Sequence, residues 1–333
     1  MRSSLPFLDL AKNGINSPFR WFKVELFAFL WTIPGSILSL PIILLAGDSS
    51  AGENIFSSVK PPALGLVAML LPFVTLLYGI CRQVERQHER RWMTIITPHQ
   101  HINWAKIGMG ALVWGAILLA DAALQYALEP ERYTWAFDPV QWLLLLVVAL
   151  ALIPLQAAAE ELAFRGYLMQ TSALVSKRVW QPLLLTSVGF GLLHGANPEV
   201  SAYGWVTMIS YIGIGLILGI ATLMDDSIEL AIGAHAANNV LSALLVTESN
   251  SVFQTPSLFR VTSEQPRALW LFLDTAIPGA IFLFIVAKIY QWGSWKRLLV
   301  PIWDTEEELR ENAVSDSDDR GDGQSRGDEQ IEG

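Results

Sequence analysis

At 333 residues the chain is 52% hydrophobic and only 16% charged, with a mean hydropathy of +0.39. Soluble domains carry about 25% charged residues, so this composition excludes one and predicts an all-α, polytopic transmembrane bundle. The net charge of −9 arises in the tail: from Asp304 onward there are 12 acidic and 3 basic residues, which leaves Met1–Trp303 neutral.

Met1–Leu10 has no uninterrupted apolar core before Lys12 and no small-residue cleavage site, so the first span is expected to serve as its own insertion signal. About eight apolar segments follow: Trp21–Ala46, Pro62–Cys81, Ala105–Leu128, Gln141–Phe164, Trp180–Ala196, Trp205–Met224, Ile228–Val246 and Leu269–Tyr290. The connections after the second and fourth segments and the end of the last are rich in Lys and Arg. The alternate connections are poor in both. Positive loops face the cytoplasm, so both termini are expected there. The segment 304–333 has almost no apolar residues and is expected to be a disordered acidic tail. Cys81 is the one cysteine, which excludes an intrachain disulfide framework and a multi-cysteine metal site; it reads as a small core residue.

Within these apolar runs, ionisable side chains stand out because each is costly at membrane depth. Glu160 and Glu161 close the fourth segment, six residues after Pro154, which is expected to bend that helix. Glu161 and Arg165 are i,i+4 and can pair on one face. Glu160 is turned about 100° away and needs a partner on another helix. His194 follows in Phe190-Gly-Leu-Leu-His194. His235 and Asn239, again i,i+4, share a face of the seventh segment. His88, His99 and His101 fall in the basic connection, where the His99-Gln-His101 pair reads as solvated. Gly215 and Gly219 have the spacing that lets a neighbouring helix approach closely.

A carboxylate beside an imidazole can take a proton from water, and burial raises a carboxylate's pKa toward the range useful for a general base. A second histidine and an amide can stabilise an oxyanion. Two imidazoles and one carboxylate are equally the ligands of an open Zn2+ site: Glu160, His194 and His235. Both chemistries stay open. No GxSxG is present, and His88-Glu-Arg-Arg-Trp92 lacks the second histidine of HExxH.

Glu160-Glu161-x-x-x-Arg165, Phe190-x-x-x-His194 and His235-x-x-x-Asn239, in that order on successive segments, resemble the CPBP family of intramembrane proteases, which contains the CAAX prenyl endopeptidases and the Abi and bacteriocin-immunity proteins. The resemblance implies an endopeptidase with Glu160 as water-activating base, His194 assisting, and His235 and Asn239 holding the oxyanion or a metal. Glu161, Arg165 and Phe190 would support them. It divides the chain into 1–140 (N-terminal segment and three spans), 141–247 (catalytic core), 248–303 (outer loop and last span) and the 304–333 tail. The implied partners are a membrane-associated protein or peptide substrate and the bilayer, without nucleic acid; the implied location is the bacterial cytoplasmic membrane. Asp225, Asp226, Ser227 and Glu229 form a charged turn where the family has a Gly-containing one.

Two rival readings remain. One is a non-catalytic immunity or scaffold protein of the same fold. The other is a proton-coupled transporter, toward which Asp121 and Asp274 lean. The hydrolytic reading requires a long, tilted or kinked fourth helix running past Arg165, because a straight one leaves Glu160 about 30 Å down and His194 on another level.

Overall fold

Each expected apolar segment becomes helical. The computed structural model describes residues 5–47, 56, 58–248, 250–262 and 267–303; the acidic tail lies outside them. In order, the main helices are α1 (Pro18–Leu30), α2 (Thr32–Ala46), α3 (Pro62–His88), α4 (Trp104–Leu128), α5 (Pro139–Glu161), α6 (Trp180–Leu193), α7 (Met208–Asp225), α8 (Glu229–Leu245) and α9 (Ala268–Ile289). Their starts follow from local chemistry. Ser17 accepts from the Arg20 N–H, and Asp138 accepts from Val140 and Gln141, each with Pro at the first helical position.

Among the described residues six segments are long and apolar enough to cross a membrane: Pro18–Ala46, Pro62–His88, Trp104–Leu128, Pro139–Ala173, Trp205–Asp225 and Ala268–Ile289. The all-α polytopic architecture therefore holds. The two helices that carry His194 and His235 fall short of a full crossing, however. With 14 and 17 residues, α6 and α8 rise about 21 and 26 Å against a hydrocarbon core of about 30 Å. His194-Gly195-Ala196 tightens into a 3-10 turn before Asn197-Pro198, which ends α6. Backbone pairing beyond Leu245 ends α8.

Two other boundaries differ from the expectation. α3 continues past Cys81 to His88, because Gln83, Val84 and His88 are buried and no helix breaker intervenes until Glu89 turns left-handed. His88 is consequently not solvated. Its Nδ1 lies 2.8 Å from the Ile15 carbonyl and its Nε2 2.8 Å from the Tyr167 hydroxyl. The connections expected as plain loops also pair: β1 (Tyr133–Trp135) runs antiparallel to β3 (Phe259–Val261), and β2 (Val246–Thr247) parallel to it.

The expected long fourth helix is present. Past Glu161 the chain continues without a break as a π-helix, Leu162–Leu168, and then as α-helix to Ala173. π-Segments inside α-helices are frequent at functional sites because they re-aim the side chains that follow. α8 packs between α4 and α5. Its contact with α4 depends on missing side chains: a Cβ on Gly233 would lie 1.9 Å from the Ile107 carbonyl oxygen, and one on Gly110 2.3 Å from that of Leu230. Gly215 and Gly219 likewise admit Ser187 and Leu183 of α6.

The α4–α8 contact makes a direct prediction. Gly233→Ala forces the two backbones apart and lowers stability by at least about 1–3 kcal/mol, read as a lower unfolding temperature of the detergent-solubilised protein. Gly108→Ala, where a Cβ meets nothing within 4 Å, leaves that temperature unchanged.

Candidate active site

Adjacent positions on α5 send the two carboxylates in different directions. Glu161 points inward and is fully buried. Its Oε1 accepts from Arg165 Nη1 at 2.9 Å, and the same oxygen lies 2.7 Å from His235 Nδ1. Arg165 is equally buried. It donates through Nη2 to the Gly215 carbonyl at 3.2 Å and lies over the Phe190 ring, 4.3 Å from its centroid. An ion pair this deep persists only where hydrogen bonds satisfy most of its atoms. Here α5, α7, α8 and α6 each contribute one partner.

Glu160 is half-buried and faces the seam between α5 and α8. Its Oε1 accepts from Gln156 Nε2 at 2.6 Å, one turn back on its own helix. Its Oε2 is buried, has no hydrogen-bond partner, and stands 3.6 Å from His235 Nε2. His235 is thus held between the carboxylates, touching one and standing 3.6 Å from the other, just beyond direct hydrogen-bond range.

Gln156 is a residue the sequence reading passed over. Its Oε1 accepts from Asn239 Nδ2 at 3.0 Å, Asn239 Oδ1 accepts from Asn238 Nδ2 at 3.0 Å, and Asn238 Oδ1 accepts from the Trp114 indole N–H at 3.2 Å. An indole nitrogen only donates and an ionised carboxylate only accepts. The two ends therefore orient every amide between them, and the chain delivers one donor to Glu160. The signal in the sequence was an amide four residues before Glu160 in an otherwise apolar run.

His194 sits apart from this set. Its Nδ1 is 2.7 Å from the Phe190 carbonyl, which leaves Nε2 as an acceptor. Its ring stacks on Tyr211, 4.5 Å between centroids and 26° between planes, and the Tyr211 hydroxyl accepts from Asn197 Nδ2 at 2.9 Å. Nearby, burial holds the Glu199 carboxyl above the usual range. Between the histidines stands Phe190, its ring centroid 4.5 Å from that of His194 and 5.8 Å from that of His235.

Among the described residues no group of three or more His, Cys, Asp or Glu side chains is placed to hold a metal ion. Glu160 and His235 face one another, and the Phe190 ring packs against both His235 and His194. His99 and His101 are exposed. Asp121 accepts from Gln125 on its own helix, and Asp274 is exposed on α9.

The charged turn before α8 is internally matched. Asp225 accepts from Lys106 Nζ at 2.9 Å and from Ser227 Oγ at 2.7 Å, Asp226 pairs with Arg297, and Glu229 Oε1 accepts from the Asn103 N–H at 2.6 Å. These groups tie the α3–α4 connection and the segment after α9 to the start of α8. The depressions near Phe253 and near Trp21 are not lined by any of the expected site residues.

Residues 140–241 match the family described as type II CAAX prenyl endopeptidase Rce1-like. The uncharacterized protein YyaK of Bacillus subtilis (strain 168) is 35% identical over 280 residues, covering 81% of this chain and 91% of that protein. No solved structure gives a significant match.

The buried pair sets an expected outcome. Arg165→Met leaves Glu161 charged and deprived of its main counter-ion, which costs about 3–5 kcal/mol. The double variant Arg165→Met/Glu161→Leu recovers part of that loss in thermal unfolding, because no unpaired charge remains buried.

Proposed function

Given that the chain belongs to the CPBP family of CAAX-type proteases, whose Rce1-like model its central helices match, we propose that it is an intramembrane endopeptidase. It hydrolyses a peptide bond in a membrane-associated protein or peptide, using water activated by Glu160. The observation that carries this reading is the Glu160–His235 gap: a buried carboxylate oxygen without a partner, facing an imidazole that Glu161 holds from behind.

In the proposed step, Glu160 Oε2 takes a proton from a water bound beside Oε2 and His235 Nε2. The water oxygen bonds to the scissile carbonyl carbon, whose π electrons move to the carbonyl oxygen. Two carboxylates, one guanidinium and one imidazole balance in charge when His235 carries both ring protons. In that form Nδ1–H donates to Glu161, and Nε2–H is free to meet the oxyanion. Asn239 uses one amide N–H on Gln156 and keeps the other for the same oxygen. Collapse of the adduct breaks the C–N bond, and the proton held by Glu160 passes to the leaving amine. The basic connections at the Glu160 end support a reading in which this chemistry lies toward the cytoplasmic half of the membrane and both termini are cytoplasmic.

Glu160→Gln keeps shape and hydrogen bonding but removes the base. Cleavage of a membrane-peptide substrate by the purified protein is expected to fall by about 10²–10⁴-fold with an unchanged unfolding temperature; retained cleavage would sink the proposal. Trp114→Phe deletes only the indole N–H at the head of the amide chain. A drop of about tenfold in kcat with KM unchanged is expected from the loss of one hydrogen bond that orients Glu160.

A further inference from the structure

His194 meets side chains that the proposed step does not use. A histidine ring has a broad, roughly two-fold freedom about its second side-chain torsion, so one hydrogen bond does not by itself set its plane. His194 has one such bond, 2.7 Å from Nδ1 to the Phe190 carbonyl, which leaves Nε2 as the acceptor of the ring. What restrains the plane is Tyr211 of α7. The two rings stack with 4.5 Å between centroids and 26° between planes, a contact that favours one relative orientation over others.

A stacking partner orients its neighbour only if it is itself held, and the chain after His194 supplies that hold. His194-Gly195-Ala196 turns back as a 3-10 helix, closed by the Asn197 N–H on the His194 carbonyl at 3.0 Å. Asn197 Nδ2 then donates to the Tyr211 hydroxyl at 2.9 Å. The Glu199 carboxyl interacts with the same hydroxyl, while its Oε1 accepts from the Val252 N–H of the outer connection at 2.8 Å. A phenol hydroxyl accepts and donates at once. The Asn197 amide takes one of its lone pairs, and its proton remains for the carboxyl. His194 and both groups that hold its stacking partner therefore lie in one short segment, folded back on α7.

We propose that Tyr211 is a positioning residue for the hydrolysis. It fixes the plane of His194 so that Nε2 keeps one direction, and Asn197 and Glu199 act through it. The proposal rests on the hydrolytic reading above, with the assisting role that the family resemblance gives His194. It adds three residues that belong to none of the motifs carrying that resemblance.

The test uses the full-length protein in phospholipid vesicles with a membrane-peptide substrate. Tyr211→Phe keeps the ring and removes the hydroxyl; Tyr211→Leu removes the stack. With KM unchanged, kcat is expected to fall about threefold in the first, the size of one hydrogen bond, and about 10–100-fold in the second, as for a misplaced catalytic group. In a His194→Ala background Tyr211→Leu is expected to change kcat by less than about twofold, because no ring is left to orient. A second readout needs no turnover: magnetic resonance of isotope-labelled histidine, with the His194 signals identified by their loss in His194→Ala. Wild type is expected to show one neutral tautomer, with the proton on Nδ1, and Tyr211→Leu a mixture of two. If Tyr211→Leu does not fold, Tyr211→Phe and Asn197→Ala carry the same comparisons. Losses that simply add to that of His194→Ala overturn the proposal, and so does a single tautomer retained in Tyr211→Leu; the tautomers decide if His194→Ala has no measurable cleavage. Cleavage retained by Glu160→Gln sinks the hydrolytic reading and the proposal with it, whereas cleavage lost in Glu160→Gln with additive Tyr211 losses sinks the proposal alone.

Discussion

Burying an arginine and a glutamate completely inside an apolar bundle is the constraint around which this protein is built. Removed from water, neither charge can stand alone. Arg165 therefore has Glu161 one turn away, a backbone carbonyl of α7 and the face of Phe190. Glu161 in turn has His235 of α8. Four helices are fixed relative to one another by the need to satisfy one ion pair. The functional consequence is that His235 is held from behind, so its other nitrogen faces Glu160 across a gap of fixed width.

The polar chain that reaches Glu160 from Trp114 applies the same logic on a second helix interface. Indole, two asparagines, a glutamine and a carboxylate have only one self-consistent arrangement, because the first can only give a proton and the last can only receive one. Such chains polarise along their length and are more rigid than isolated pairs. The close α4–α8 approach at Gly110 and Gly233 brings Trp114 within reach of Asn238. Packing of small residues and precision at the site are thus one feature, in which an added methyl group at the interface is transmitted to the carboxylate.

The short helices fit this picture. A helix that spans the bilayer completely can satisfy its backbone alone, whereas one that stops partway must end beside protein or water. α6 stops at His194 and α8 begins at Glu229, and both interrupted ends meet polar groups: the Asn197 and Tyr211 side chains at the first, the Asn103 backbone N–H and the Ser227 hydroxyl at the second.

Composition and spacing alone determined the membrane class, the helical segments, the pairing of Glu161 with Arg165 and the shared face of His235 and Asn239. Each of these rests on local periodicity or on the cost of a charge in lipid, both of which act within a few residues of chain. Tertiary structure decided the rest. That Glu160 leans on Gln156, that Trp114 on a distant helix stands at the head of its hydrogen-bond chain, that Phe190 separates the two histidines, and that His88 is buried against Tyr167 all depend on how close two helices come and which way each is rotated. Those quantities are set by glycine contacts, a π-turn and helix lengths that end partway through the bilayer. No run of residues read by itself carries the distance between its side chains and those of another helix.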